Sequence, residues 1–348
     1  TVDASEKSIL SGVADQNFAV AMRCLRGRID GVFKVNRNDY LKKTGYGEPM
    51  SISALNEAHT LVHEALLSGA REAVVYRLVT SAAKNKYVVA KLSSDLTNID
   101  FTAEDQLPTS TYLFALKHHE CFNDGIKIRV HANAKTVAGV NVENRVFTIR
   151  IVDPKTDEKL YEFTGSSDMT AVDDYGNDFY LPNIVSARTE NLELTVPPVA
   201  DSRIPPTNAA YGLDSNGFEK WVKSSPIIYF TEGGTGYTTS DYIKARTALS
   251  DSAVGYNRIV TAGSQAPALI LQMANLAYEV NKPLDVDVSG KLTKDEVIAF
   301  YASLNIDSEY VNFYWHPVVA DCPLGINKRD YFGTSALHAA YTCARNAQ

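Results

Sequence analysis

Pro226-Ile227-Ile228-Tyr229-Phe230, followed by Gly233-Gly234-Thr235-Gly236 and a helical run from Ser240 to Ala248, opens the stretch that decides the fold. The same order of strand, loop and helix then returns twice. Arg258-Ile259-Val260 leads through Ala262-Gly263-Ser264 into a helix over Pro267 to Val280. Leu284-Asp285-Val286-Asp287-Val288 leads through Ser289-Gly290 into a helix over Lys294 to Ser303, and Val311-Asn312-Phe313-Tyr314-Trp315 closes the series. Short apolar, β-rich runs alternating with helices imply crossover connections, and so a parallel sheet covered on both faces.

The first part of the chain has the same grammar. Phe18-Ala19-Val20-Ala21-Met22 reads as a strand, turned by Gly27 and Gly31, and Val32-Phe33-Lys34-Val35 as a second. A helix over Ser53 to Ser68 has Ser51 or Ser53 as its N-cap and Gly69 just past its end. Ala73 to Val79 is again a strand, expected to join the later sheet. Between these halves the period changes from helical to alternating: Tyr112 to Leu116, Ile126 to Val130, Arg145 to Val152, Leu160 to Phe163 and Leu192 to Val196 read as strands. Asp153-Pro154-Lys155-Thr156-Asp157 is a hairpin connection. Pro197-Pro198 and Pro205-Pro206 stiffen the way out. The expected architecture is α/β (α+β overall): a mixed, largely parallel sheet with flanking helices, plus an inserted antiparallel β domain, barrel or sandwich. The expected division is a discontinuous α/β domain over 1–86 and 207–348, interrupted by a β-rich domain over 87–206.

Composition narrows the function classes. The 348 residues carry 45% hydrophobic and 22% charged side chains, ordinary for a globular protein, and fit two domains. A net charge of -7 gives no support for nucleic-acid binding, and Arg23, Arg26 and Arg28 are too small a basic patch. No apolar run has the length of a membrane span, and no signal peptide opens the chain, so no membrane insertion is expected. Cys24, Cys121, Cys322 and Cys343 are scattered and read as thiols in a reducing compartment. The chain opens at Thr1 and ends at Gln348 directly after a helical run, the pattern of a core excised from a longer polypeptide.

Several residues could carry chemistry. Gly233-Gly234-Thr235-Gly236 lies where a phosphate cradle would, but is neither a dinucleotide fingerprint nor a Walker loop; glycines also serve a tight turn unaided. Asp285, Asp287, Ser289 and Glu296, with Gly290, have the spacing of a calcium loop. Against that, Pro283 sits where an entering helix should run, and Thr293-Lys294-Asp295-Glu296 is a capping box. The same Asp-x-Asp at a strand end fits a magnesium-dependent phosphohydrolase, with Asp285 as nucleophile and Asp287 as general acid. That chemistry needs further acids, and the adjacent pair Asp173-Asp174 lies in the β insertion. His59 and His63 are four apart on a helix but lack a third ligand, and are read as flanking the core. His118-His119-Glu120-Cys121 cannot converge from a strand, where neighbours point to opposite faces. No catalytic, cofactor-binding or metal set is therefore assigned, and no enzyme is expected.

Read in order, the residues resemble a contractile phage tail sheath protein. Leu66-Leu67-Ser68-Gly69 with Glu72 to Leu78 is similar to that family's helix, Gly and V-V-R-V segment. Glu162-Phe163, then Phe179-Tyr180-Leu181-Pro182-Asn183-Ile184-Val185-Ser186, resembles its β-rich stretch. Gly233 to Gly236, with Asp241-Tyr242 and Ala248-Leu249 behind, resembles its glycine loop. Phe313-Tyr314-Trp315-His316-Pro317 resembles the Y-Y-P-W strand. Thr334-Ser335-Ala336-Leu337-His338-Ala339-Ala340-Tyr341-Thr342-Cys343-Ala344-Arg345 resembles the P-S-G-x-x-A-G-x-x-A-R helix. His316-Pro317 replaces a Pro-Trp pair, and Ala336 and Ala340 stand where glycines are usual, which fits a divergent member of the giant-myovirus (phiKZ-like) type.

The resemblance implies a structural subunit that self-assembles as helically stacked hexameric rings around an inner tail tube, with a baseplate as a further partner. Contraction would drive the tube through a host envelope. It implies a virion component made in the bacterial cytoplasm, with no cofactor. It also implies that an N-terminal arm and a C-terminal domain flank this core, so that the chain alone stays monomeric.

Overall fold

The computed structural model describes residues 15–92, 99–109, 112–133, 136–137, 140–141, 146–197, 212–213, 219–220, 223–231, 233–251, 253–316 and 318–347. Arg145, Pro198, Pro205, Pro206 and Pro317, and most of the polar lead-in, lie outside them.

In chain order, β1 (Asn17–Met22), β2 (Phe33–Val35), α1 (Tyr40–Thr44), a 3-10 turn (Ala54–Asn56), α2 (Glu57–Leu67) and β3 (Glu72–Arg77) come first. Then follow β4 (Tyr87–Leu92), β5 (Ile99–Glu104), β6 (Phe114–His118), β7 (Lys127–Asn133), β8 (Val146–Val152), β9 (Lys159–Ser166), α3 (Leu181–Arg188), β10 (Leu192–Thr195) and β11 (Lys223–Ser224). The last group is α4 (Thr239–Leu249), β12 (Arg258–Val260), α5 (Pro267–Val280), β13 (Leu284–Asp287), α6 (Lys294–Leu304), β14 (Val311–Tyr314), β15 (Val318–Ala320), β16 (Asp330–Phe332) and α7 (Ser335–Asn346). The chain divides into two compact units, Thr1–Ala83 with Glu232–Gln348, and Lys84–Thr231.

The first unit is an α/β fold. Its six-stranded sheet has the order β14-β13-β12-β1-β3-β2, parallel throughout except for β2, which runs antiparallel to β3. Every residue of β1 is buried, as a central parallel strand between two helical layers requires. Alternation along β1 sorts its side chains between two cores. Phe18, Val20 and Met22 pack with α2 and α7 residues such as Val62, Leu66, Ala336 and Ala340. Ala19 packs on the other face with Tyr242 and Leu249 of α4 and Ile270 and Met273 of α5.

Helix α5 shows why these helices form. Leu269, Ile270, Met273, Ala274, Leu276 and Ala277 make one buried stripe, Pro267 stands at the first helical position, and Asn281 ends the helix at φ 54°. Helix α2 begins from Ser53, whose side chain accepts the Leu55 N–H across the preceding 3-10 turn.

One expectation fails. Ile227 to Phe230 was expected to open the parallel sheet, yet it belongs to the second unit, where Ile228 makes a single antiparallel bridge to Ile126. The physical reason is its alternation: Ile228 and Phe230 are buried, while Ile227 and Tyr229 are exposed. A strand covered on two faces leaves no such exposed pair, as β1 of the parallel sheet shows.

The second unit is built from two four-stranded antiparallel sheets, β9-β8-β7-β11 and β10-β6-β4-β5. Phe114 of one sheet meets Phe147 of the other edge-on, with ring centroids 6.0 Å apart. Strands β4 and β5 and helix α3 are elements that the sequence pattern did not announce. Pairing of β11 with β7 keeps the chain in this unit until Thr231, whereas the proline pairs had placed the exit near residue 206.

Candidate functional site: the carboxyl edge of the parallel sheet

Ligands of open α/β folds sit at the carboxyl ends of the strands, where the loops after β12 and β13 meet the N-termini of α2 and α7. Strand β13 sends Leu284 and Val286 into the α4–α5 core, so Asp285 and Asp287 project to the opposite face, beneath α7. Both carboxylates are buried. Their partners decide what they do.

Asp287 is surrounded by donors. Its Oδ1 accepts the backbone N–H groups of Thr334 and Ser335, each at 2.8 Å. Its Oδ2 accepts the Gly263 N–H at 2.7 Å and the Ser335 hydroxyl at 2.5 Å. The carboxylate thus satisfies the open N–H groups at the start of α7 and adds a negative charge where the helix dipole favours one. Gly333 has no side chain because a Cβ there would collide with this carboxylate.

Asp285 is fixed differently. Arg258 Nη1 lies 2.6 Å from its Oδ2, Asn312 Nδ2 donates to Oδ1 at 3.2 Å, and His338 Nδ1 is 3.1 Å from Oδ2. His338 Nδ1 also lies 2.9 Å from Arg258 Nη1 and 3.1 Å from the Tyr314 hydroxyl. Burial, then the Asp285 charge, push the Tyr314 phenol above its ordinary value. Asp285 therefore ties β12, β14 and the second turn of α7 together. Asp285 faces a guanidinium and Asp287 a set of N–H donors.

The other calcium-loop residues point elsewhere. Glu296 accepts the Thr293 N–H at 2.7 Å and its hydroxyl at 2.9 Å, closing the capping box of α6 and holding the Glu296 carboxyl below its usual range. Ser289 Oγ accepts the Lys291 N–H at 3.2 Å. Among the described residues, no group of three or more His, Cys, Asp and Glu side chains is placed to hold one metal ion.

A further carboxylate lies on the same edge. Glu57, the first residue of α2, is 6% exposed, and its Oε1 accepts the Gly333 N–H at 2.7 Å. Its Oε2 has no hydrogen-bond partner among the described residues. Glu57 lines a crevice of about 190 Å³ shared with Met50, Gly263, Val288, Lys291 and Tyr331. Burial above all, with Asp287 and Asp330 nearby, pushes Glu57 up to about 8, against the Gly333 hydrogen bond and the Lys291 charge, which pull it down. Sequence reasoning missed Glu57, because an acid in the first turn of a helix is ordinary.

The remaining expected positions make local packing and hydrogen-bond contacts. Gly233 and Gly234 take φ of 82° and 98°, and a Cβ on Gly233 would collide with Thr80 Oγ1. The helix after them is closed by the Thr238–Asp241 capping box. His59 Nε2 lies 2.9 Å from the Gly45 carbonyl oxygen, and burial drives its imidazole down to about 4, so it is neutral. His63 instead meets Glu64, with Nδ1 and Oε1 3.0 Å apart, and both imidazoles flank Tyr40. In the second unit, His118 packs edge-on against Phe122, His119 turns to Glu193, and the Cys121 thiol donates to the Lys84 and Thr231 carbonyls. Asp173 organises its own turn, accepting the Tyr175 and Asn177 N–H groups. All four cysteines are buried, and no disulfide joins them. No described helix is long and apolar enough to cross a membrane.

No protein-family profile and no curated protein matches the chain. Among solved structures, it is similar to the sheath tail protein of Desulfitobacterium hafniense, at 14% identity and a TM-score of 0.47, over 94% of this chain and 58% of that one. The chain thus spans less than two thirds of the length of that protein.

Proposed function

We propose that the chain is the core of a contractile tail sheath subunit: a structural protein that stacks with its own copies around an inner tube, and whose work is mechanical. The α/β unit is the rigid body, and the β-rich unit is an insertion between its two chain segments. The observation that carries this reading is the role of the helix that resembles the family's last motif. Thr334 to Arg345 is the segment that Asp285 and Asp287 fasten to the sheet, through Thr334, Ser335 and His338. The aspartates that a phosphohydrolase would need as nucleophile and acid thus have other partners, which favours a mechanical over a catalytic reading of this edge.

No catalytic residue is required for contraction. Subunits that re-dock as rigid bodies release the difference in contact energy between an extended and a contracted array. Hexameric rings, a tube and a baseplate as partners, and a place in a virion tail belong to the same proposal. The test is negative-stain electron microscopy of the natural polypeptide, purified from its source. Tubes of stacked rings are the expected result. Dispersed particles that hydrolyse phosphate monoesters, with the activity lost in Asp285→Asn, would overturn it.

A further inference from the structure

We propose that the Glu57 crevice is a binding site for one organic cation, an ammonium or guanidinium group seated on Glu57 Oε2. Three carboxylates converge at this edge, and two already have what they need. Asp287 is held by backbone and hydroxyl donors. Asp330 is paired with Lys291 at 2.8 Å. Glu57 has one neutral N–H donor and no cation within salt-bridge distance among the described residues, although it is more than nine-tenths buried. A buried carboxyl in that position gains most from a ligand that brings positive charge.

The shape of the crevice fits a small group. Its volume of about 190 Å³ equals that of about six waters at the bulk share of each molecule. Gly263 and Gly333 keep the floor open: a Cβ on Gly263 would collide with the Glu57 carboxyl, and one on Gly333 with Asp287. Met50, Val288 and Phe332 supply apolar lining, which strengthens a charge pair by excluding water, and Tyr331 adds an aromatic ring of the kind that attracts such cations. Seating the cation releases the Glu57 proton to solvent. The charged groups facing it are Asp287, Asp330 and Lys291, so binding tightens as pH rises.

Two sources carry this chemistry: a free amine or guanidine, and a Lys or Arg side chain of a second copy. The experiment is NMR of the isotope-labelled chain, following the amides of Gly263, Lys291 and Gly333 during titration with methylguanidinium chloride or ethylammonium chloride. Sodium chloride at matched ionic strength is the control. Saturable shifts with the organic cations, absent with sodium, are expected, and Glu57→Gln should weaken them about tenfold or more. Shifts that instead appear on raising the protein concentration, and are reversed by methylguanidinium, identify a second copy as the source. Lys291→Met, at a half-exposed site, removes the competing charge and should tighten binding; it decides the matter should Glu57→Gln not fold. Amides unmoved by cation and by concentration, equal shifts with sodium, equal binding in Glu57→Gln, or unchanged affinity in Lys291→Met would each overturn the proposal.

Discussion

Asp287 and Glu57 sit on one edge of one sheet, are similarly buried, and both receive an N–H from the Gly333–Ser335 segment, yet they are built for different ends. Asp287 accepts four hydrogen bonds and closes a helix start; Glu57 accepts one and opens on a crevice. What separates a fastening carboxylate from an available one is therefore the count of donors around it, which neither its residue type nor its burial reveals. Asp285 falls on the fastening side, held by Arg258, Asn312 and His338.

The largest break in this comparison comes from Asp287→Ala. It leaves the Gly263, Thr334 and Ser335 donors buried and unsatisfied, and should lower unfolding free energy by roughly 4 kcal/mol in denaturant melts. A loss below about 1 kcal/mol would place Asp287 among ordinary surface groups.

Next in size is the pH response of Glu57. Its folded value, about 8, lies above the ordinary 4.5, so the folded state holds a proton that the unfolded state has lost between those limits. Stability from this group is complete below pH 4.5 and declines as pH rises to about 8. Glu57→Gln should lack that decline, so the difference between variant and parent melts should grow with pH. Parallel curves would contradict the burial of Glu57 without a paired cation.

Asp285→Asn ranks third. Arg258 loses its counter-charge but reaches the surface at 14% exposure, which softens the cost of a broken pair to roughly 2 kcal/mol. The smallest effect is Thr293→Ala, about 1 kcal/mol from loss of the α6 cap. It sharpens the comparison, because Glu296 is then a carboxylate engaged only by its own helix.

The sequence made the α/β layer legible because β1, β12, β13 and β14 are continuous apolar or alternating runs separated by helices with clear ends. The same grammar misplaced Ile227 to Phe230. Four residues are too few to show whether a run is buried on one face or two, and only its antiparallel bridge to Ile126 settles that. The Asp285-x-Asp287 spacing was visible, but its partners Arg258, His338 and Ser335 lie 27, 53 and 48 positions away, so no local pattern announces them. Glu57 had no signal, since its character comes from Gly263 and Gly333, which meet it only in the fold.

Amide hydrogen exchange on Asp287→Asn tests most directly whether these aspartates hold the final helix down. If they do, the α7 amides lose protection, Thr334 and Ser335 first, while β1 and α5 keep theirs. Unchanged α7 protection in that variant would contradict the fastening role and return Asp285 and Asp287 to the set of residues available for chemistry.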